Sequence, residues 1–206
     1  FIMLPYTFEV FSLDHIASII VILFLFIIFL RYNDKIGIED DSKTFLIVLS
    51  ILMIFLDLSE DLVRIFTGYY SITKDLPLQL CSIVVYLAAF NLMYRNQTIF
   101  NLIFYWGFVG ATNAILTPDG DLFELRIFFF YSQGYHGALI FAVLWMMIKY
   151  DMRMDYKSIL QVVIYTNIIV GLITIVNYVL DSNYMFLRVM PNSISPFLMG
   201  EWPTYI

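Results

Sequence analysis

The sequence predicts an all-α protein: a polytopic membrane helix bundle of about six transmembrane helices, followed by an irregular C-terminal interfacial segment. Three observations predict it. Of the 206 residues, 61% are hydrophobic and only 14% are charged, against about 45–50% and about 25% in soluble domains, so a soluble core of this size cannot hide the surplus. Six mostly apolar stretches come close to or exceed the roughly 20 residues that cross a hydrocarbon core. The connections between these stretches are short and carry most of the charge.

The stretches are read as 13–31, 44–66, 76–94, 98–117, 124–149 and 158–181. The first has no basic region before it and no small-residue cleavage site after it, so a retained helix is expected rather than a signal peptide. The second opens with an apolar run from Phe45 to Leu56 broken by one serine, then turns polar at Asp57, Glu60, Asp61 and Arg64. The third carries Gln79 and Cys81 near its start, just past Pro77. The fourth leaves through Thr112 and Asn113 into Thr117-Pro118-Asp119-Gly120, whose proline and glycine punctuate the chain. The fifth brings in Tyr131, Gln133, Tyr135 and His136, and the sixth is apolar nearly throughout. The remainder, 183–206, sets Pro191, Pro196, Pro203 and Gly200 among Phe186, Phe197, Trp202 and Tyr205. It is too broken for a seventh span and reads as a cap or re-entrant segment over the bundle, or more plainly as an aromatic belt anchor. Residues 1–206 are taken as a single integral membrane domain.

Orientation follows from the basic residues. Arg31, Lys35, Lys43, Arg95, Lys149, Arg153 and Lys157 fall on one side, and Arg64, Lys74, Arg126 and Arg188 on the other. Positive loops stay in the cytoplasm, so a multi-pass cell-membrane protein with both termini outside is expected. Nearly all the polar residues within spans then lie in the outer half.

Composition and motifs also exclude functions. The formal charge of −6 and the lack of a basic run leave nothing to track nucleic acid. Cys81 is the only cysteine, so no internal disulfide can form. No internal repeat of the kind that builds many transporters stands out, and neither a glycine-rich phosphate loop nor a Gly-x-Ser-x-Gly elbow is present. A catalytic zinc needs three protein ligands and an open position. His15 and His136 are the only imidazoles, and Asp57, Glu60, Asp61 or Cys81 would have to complete the set. Neither metal nor cofactor is expected, the expected partners are membrane lipids, and the oligomeric state stays open.

Two candidate sites remain. Asp57, Glu60, Asp61 and Arg64 recur at i, i+3, i+4 and i+7, which places them on one helical stripe. Buried acids are costly and usually face a cavity or a partner. Arg64 can pair with Glu60 or Asp61, which leaves Asp57 needing another donor. The plain reading is a helix end that is simply wet. The functional reading is a polar relay with His136 in a non-enzymatic proton- or solute-handling protein, and a structural membrane subunit is a further alternative. The second site pairs Cys81 with His136, which sit at similar depth if the third and fifth helices face each other. Each alone has an ordinary reading, a small buried hydrophobe and an interhelical hydrogen-bond partner. Together, a thiol and an imidazole are the minimal nucleophile and base for acyl transfer, with Asn113 or Gln133 as possible donors to the oxyanion.

The strings Leu76-Pro-Leu-Gln-Leu-Cys81, Tyr105-Trp-Gly-Phe-Val-Gly110, Leu116-Thr-Pro-Asp119, His136-Gly137, Asn183-Tyr-Met-Phe-Leu and Gly200-Glu-Trp-Pro-Thr-Tyr205 resemble the YwaF-type bacterial integral membrane proteins, which are related to eukaryotic transmembrane protein 164. The opening Phe8-Glu-Val-Phe-Ser-Leu-Asp-His15 is similar to the start of that family. The resemblance covers nearly the whole chain in order. It implies a lipid acyltransferase site in which the helix 3 cysteine and a later intramembrane histidine are catalytic, here Cys81 and His136. His15, Asp57, Glu60, Asp61, Arg64, Gln79, Asn113, Gln133 and Trp202 are the supporting or substrate-binding candidates. Two departures stand out: Gln79 where bacterial members often have histidine, and Ser82 where the eukaryotic motif has histidine after the cysteine.

Overall fold

A computed structural model describes residues 6–33 and 40–195, with the backbone alone for 40–42. Trp202 and the closing Gly200–Tyr205 string lie outside the described residues. Six helices follow one another: α1 Leu13–Tyr32, α2 Asp40–Thr67, α3 Leu80–Tyr94, α4 Gln97–Leu116, α5 Arg126–Lys149 and α6 Ile159–Leu180. There is no strand among the described residues. The expected boundaries hold within two residues, except that α2 begins four residues earlier and α3 four residues later than expected. Pro77 forces Leu76 away from helical dihedrals, and the backbone stays non-helical until Gln79, whose φ −68° and ψ 144° are extended. At 15 residues, α3 spans roughly 22 Å, short of a hydrocarbon core. Four helices, α1, α4, α5 and the turn-plus-helix Tyr156–Leu180, are long and apolar enough to cross a membrane.

Local chemistry sets the other ends. Asn96 caps α4 by accepting the Ile99 N–H at 3.0 Å, as short polar side chains do at helix starts. Pro118 follows α4 closely and cannot continue it, and the Asp119 carboxylate accepts the Asp121 N–H at 3.0 Å to turn the chain back. Within α4, Ile103–Phe108 forms a wide π-helical turn, a distortion that recurs at functional sites.

The helices pack around α5. Gly137 of α5 faces Ile22 of α1, Gly134 faces Leu56 of α2, and Leu139 faces Gly107 of α4. α3 packs against both α2 and α5. α6 lies outside this ring, tied to α4 where the Trp106 indole N–H donates to Thr166 Oγ1 at 2.8 Å. The surface is apolar and several of the buried groups are polar. Ile20, Phe24 and Ile27 on α1 and Leu160, Leu172 and Ile175 on α6 are each more than half exposed, while His15, Asn91, Asn101, Gln133 and Asn177 are almost fully buried. Exposed hydrocarbon on this scale marks a surface made for lipid rather than water.

Both described chain ends sit at one end of the bundle, here called the head. Tyr6 N–H donates to Glu124 O at 3.1 Å, and Ser195 Oγ donates to Asn113 Oδ1 at 2.7 Å. The segment after α6 therefore crosses the head, touching α4, the 117–125 loop and the start of α3.

Candidate active site

The site is built where α3 starts. Cys81 is the second helical residue of α3, behind the N-cap Gln79, which places no side-chain cap on the first turn. Alongside runs α4, whose glycines measure the distance between the two helices. A Cβ on Gly107 would stand 2.7 Å from Val84 Cγ1 and 3.4 Å from Leu139 Cδ2, so this glycine is what lets α3, α4 and α5 close up. A Cβ on Gly110 would meet only the Cys81 sulfur, at 4.0 Å. Val84, Gly107 and Leu139 thus form one packed layer. A step of three residues toward the head on each helix, close to one turn, arrives at Cys81, Gly110 and His136. Cys81 and Gly110 thus lie against each other, and His136 stands at a similar depth on α5, one turn headward of Leu139.

His136 is 4% exposed, and its Nδ1 lies 2.7 Å from the Ser132 carbonyl oxygen. A carbonyl can only accept, so Nδ1 carries the proton in the neutral ring and Nε2 is the basic nitrogen. His15, also buried, is wired differently. Its Nδ1 accepts the Phe11 N–H at 3.1 Å and its Nε2–H donates to Ile115 O at 2.8 Å. The first bond turns the chain into α1 and the second ties α1 to α4, so both nitrogens are spent on structure.

The acidic stripe divides. Asp57 accepts the Ser82 hydroxyl at 3.0 Å and the Tyr86 hydroxyl at 2.9 Å, which bolts α2 to α3 beside Cys81. Glu60 takes Arg64 at 3.1 Å, and Arg64 also binds Glu124 at 2.7 Å, lies 3.6 Å from Asp75, donates to Leu122 O at 2.8 Å and stacks over Phe128 at 4.0 Å. Asp61 is half-buried and makes no hydrogen bond or close ion pair among the described residues. Of the other candidates, Gln79 accepts the Met185 N–H at 2.9 Å through Oε1. Asn113 Oδ1 is occupied by the Thr117 and Ser195 hydroxyls at 3.0 and 2.7 Å. Gln133, 2% exposed, lies 3.3 Å from Ser18 Oγ through Oε1, and its Nε2 has no partner. Among the described residues no three His, Cys, Asp or Glu side chains gather to hold a metal ion.

Several partners were legible only in part. Ser82 and Tyr86 are four apart on α3, and Ser132 sits four before His136, spacings that put each on the face that matters. Asp75 and Glu124, which complete the Arg64 network, come from loops distant in sequence and left no local signal. Neither did Tyr184, fully buried, whose hydroxyl donates to Ile72 O at 2.6 Å and accepts the Leu76 N–H at 3.0 Å.

Fold and site together define a membrane-type helical bundle with a half-buried thiol on α3 and a buried imidazole on α5 near its head. A profile of the TMEM164 family matches residues 10–206, and the chain belongs to that family. The comparisons with curated proteins and with solved structures returned no match.

Proposed function

We propose that the protein is a cysteine-dependent acyltransferase, or acyl-ester hydrolase, acting on membrane lipids, with Cys81 as nucleophile and His136 as general base. What supports this reading is the similar depth of Cys81 on α3 and His136 on α5, with the His136 Nδ1–H bound to the Ser132 carbonyl and Nε2 left as the basic atom. The thiol proton passes to Nε2, and the thiolate sulfur attacks the carbonyl carbon of a lipid ester. The resulting oxyanion collapses, the C–O bond breaks, and the departing alcohol takes the proton from the imidazolium. A thioester remains on Cys81. The hydroxyl of an acceptor lipid, or water, then gives its proton to Nε2 and attacks the thioester, and the departing sulfur is reprotonated. The apolar surface supplies the access a lipid substrate needs.

The rival relay reading needs a chain of carboxylates free to exchange protons, whereas Asp57 and Glu60 are engaged by Ser82, Tyr86 and Arg64 and Asp61 alone is left without such a partner among the described residues. All six helices cross the bilayer in this proposal, and the excess of Lys and Arg at the end opposite the head puts the head, and so the site, at the outer leaflet. Two experiments test it. Purified protein in nanodiscs with acyl-labelled phospholipid should transfer or release label, and Cys81→Ser and His136→Gln should each abolish it; label moving at the parent rate in Cys81→Ser sinks the mechanism. For orientation, a cysteine at Tyr156 in a Cys81→Ser background should stay unlabelled by an impermeant maleimide in intact cells. Labelling there reverses the assignment.

A further inference from the structure

Resting on the acyl-transfer reading for what it protects, we infer that residues 185–195 form a lid over the seam between α3 and α4, which closes the Cys81 site to water at the head and leaves the thiol to be reached from the lipid side. The seam is defined by one close approach. A Cβ on Gly110 of α4 would stand 4.0 Å from the Cys81 sulfur and meet nothing else as near among the described residues, so the two helices face each other there across the thiol itself. Headward of that contact each helix carries one side-chain amide, and the same stretch of chain is pinned to both. On the α3 side the Met185 N–H donates to Gln79 Oε1 at 2.9 Å, two residues before Cys81. On the α4 side the Ser195 hydroxyl donates to Asn113 Oδ1 at 2.7 Å, three residues beyond Gly110. At the helical rise, both pins stand about 3–5 Å headward of the Cys81–Gly110 contact. A segment bound to both helices at that height crosses the seam between them.

The lid is rigid at one end and latched at the other. At its root, Asn177 on α6 receives the Tyr184 N–H at 2.7 Å through Oδ1 and donates to Tyr184 O at 2.9 Å, and the buried Tyr184 hydroxyl clasps Ile72 O and the Leu76 N–H. The Arg188 and Val189 N–H groups share Asn183 Oδ1 at 2.9 and 3.0 Å. From Met190 onward the character changes. Met190 and Ile194 are 44% and 62% exposed, and the chain returns to the bundle through hydroxyls: Ser193 Oγ donates to Thr117 O at 2.6 Å, and the buried Ser195 donates to Asn113. Exposed apolar side chains and hydroxyl latches mark a segment that opens locally while the bundle stays folded. A lid over a reaction site excludes the water that would otherwise hydrolyse a reactive intermediate. Here that intermediate is the Cys81 thioester. With the lid latched, the hydroxyl of an acceptor lipid gives its proton to His136 Nε2, its oxygen attacks the thioester carbonyl, the C–S bond breaks and the sulfur takes the proton back. With the lid open, water follows the same path and a free fatty acid leaves.

Cys81 is the only cysteine, so its labelling reads the lid directly. Full-chain protein in nanodiscs is treated with two methanethiosulfonates, one charged and confined to water and one neutral and lipid-soluble, each rate being divided by the rate with free glutathione. Their ratio cancels the reactivity of the thiol and leaves its access from water. In the parent the charged reagent should lag the neutral one by about tenfold or more. The double variant Ser193→Ala/Ser195→Ala removes both latches and should raise the charged-to-neutral ratio about tenfold, with the neutral rate within about threefold of the parent to report an intact fold. Ser195→Ala alone should raise the ratio less, and it carries the test if the double variant does not fold. With an acyl-labelled phospholipid and a lysophospholipid acceptor, the share of label released as free fatty acid should rise in the same variants. A ratio within about twofold of the parent in the folded variants, or a charged reagent as fast as the neutral one in the parent, overturns the lid and leaves the Cys81 mechanism standing. A raised ratio with no acyl turnover in the parent supports the lid and overturns the acyl-transfer reading.

Discussion

Two polar regions lie close together at the head, and they are wired in opposite ways. Around Arg64 every strong group is answered: the guanidinium bonds Glu60, Glu124 and the Leu122 carbonyl and rests on Phe128, and the side chain is buried. About two turns deeper, the groups around Cys81 are answered on one side only. His136 has a partner for Nδ1, Gln79 has one for its oxygen, and Gly110 sets no side chain against the sulfur. A network with all its valences filled can hold helices together and do little else. A layer with one free end on each group can meet a substrate, and the rigid network beside it keeps that layer in place.

Breaking the filled network should give the largest effect on stability. Arg64→Met strands Glu60, Asp75 and Glu124 in a buried setting, and a broken buried ion cluster costs about 3–5 kcal/mol. Denaturant unfolding in detergent should register that loss, and a change below about 1 kcal/mol would show that the acids are hydrated after all. The two histidines sharpen the contrast next. His15→Ala removes the buried hydrogen bond joining α1 to Ile115 of α4 and the local one from Phe11, and should destabilise by about 1–3 kcal/mol, with turnover per folded molecule retained. His136→Gln should cost less than about 1.5 kcal/mol and lose turnover. Equal stability losses in the two variants would erase the distinction drawn from their hydrogen bonds.

The glycines make a similar pair at smaller scale. Gly107→Ala drives a methyl against Val84 at a packed three-helix contact and should cost about 1–3 kcal/mol. Gly110→Ala has room, so thermal stability should hold or rise by up to about 1 kcal/mol, the helix preference of alanine, as the narrowed space before Cys81 lowers turnover. Asp57→Asn should do least. The amide still meets Ser82 and Tyr86, so a change within about 1 kcal/mol is expected, with turnover retained. Loss of function in Asp57→Asn with full function in Cys81→Ser would favour the relay.

These contrasts also mark what the sequence could and could not tell. Apolar length and short polar connections were enough for the six helices, because bilayer thickness and helical rise leave few other arrangements. The start of α3 needed Pro77 to be weighed more heavily than the apolar run around it. The i, i+3, i+4, i+7 stripe put Asp57 and Arg64 on one face, and the unmet need of Asp57 for a donor was visible. Its answer, Ser82 and Tyr86, was not, because the register of α2 against α3 is set by packing and not by either helix alone. For the same reason the packing of α3 and α5, which carry Cys81 and His136, could not be read from either helix alone, and the close approach at Gly107 has no signature beyond a glycine in a helix.

The central claim is that Cys81 carries an acyl group during turnover, and trapping that group tests it most directly. Protein in nanodiscs, mixed briefly with a phospholipid of known acyl chain and quenched in acid, should show by intact mass the addition of one acyl chain. Peptide mapping should place it on Cys81, neutral hydroxylamine should remove it, and Cys81→Ser should lack the hydroxylamine-labile adduct. Turnover of acyl chains in the parent with no adduct on Cys81, and at an unchanged rate in Cys81→Ser, would contradict the account.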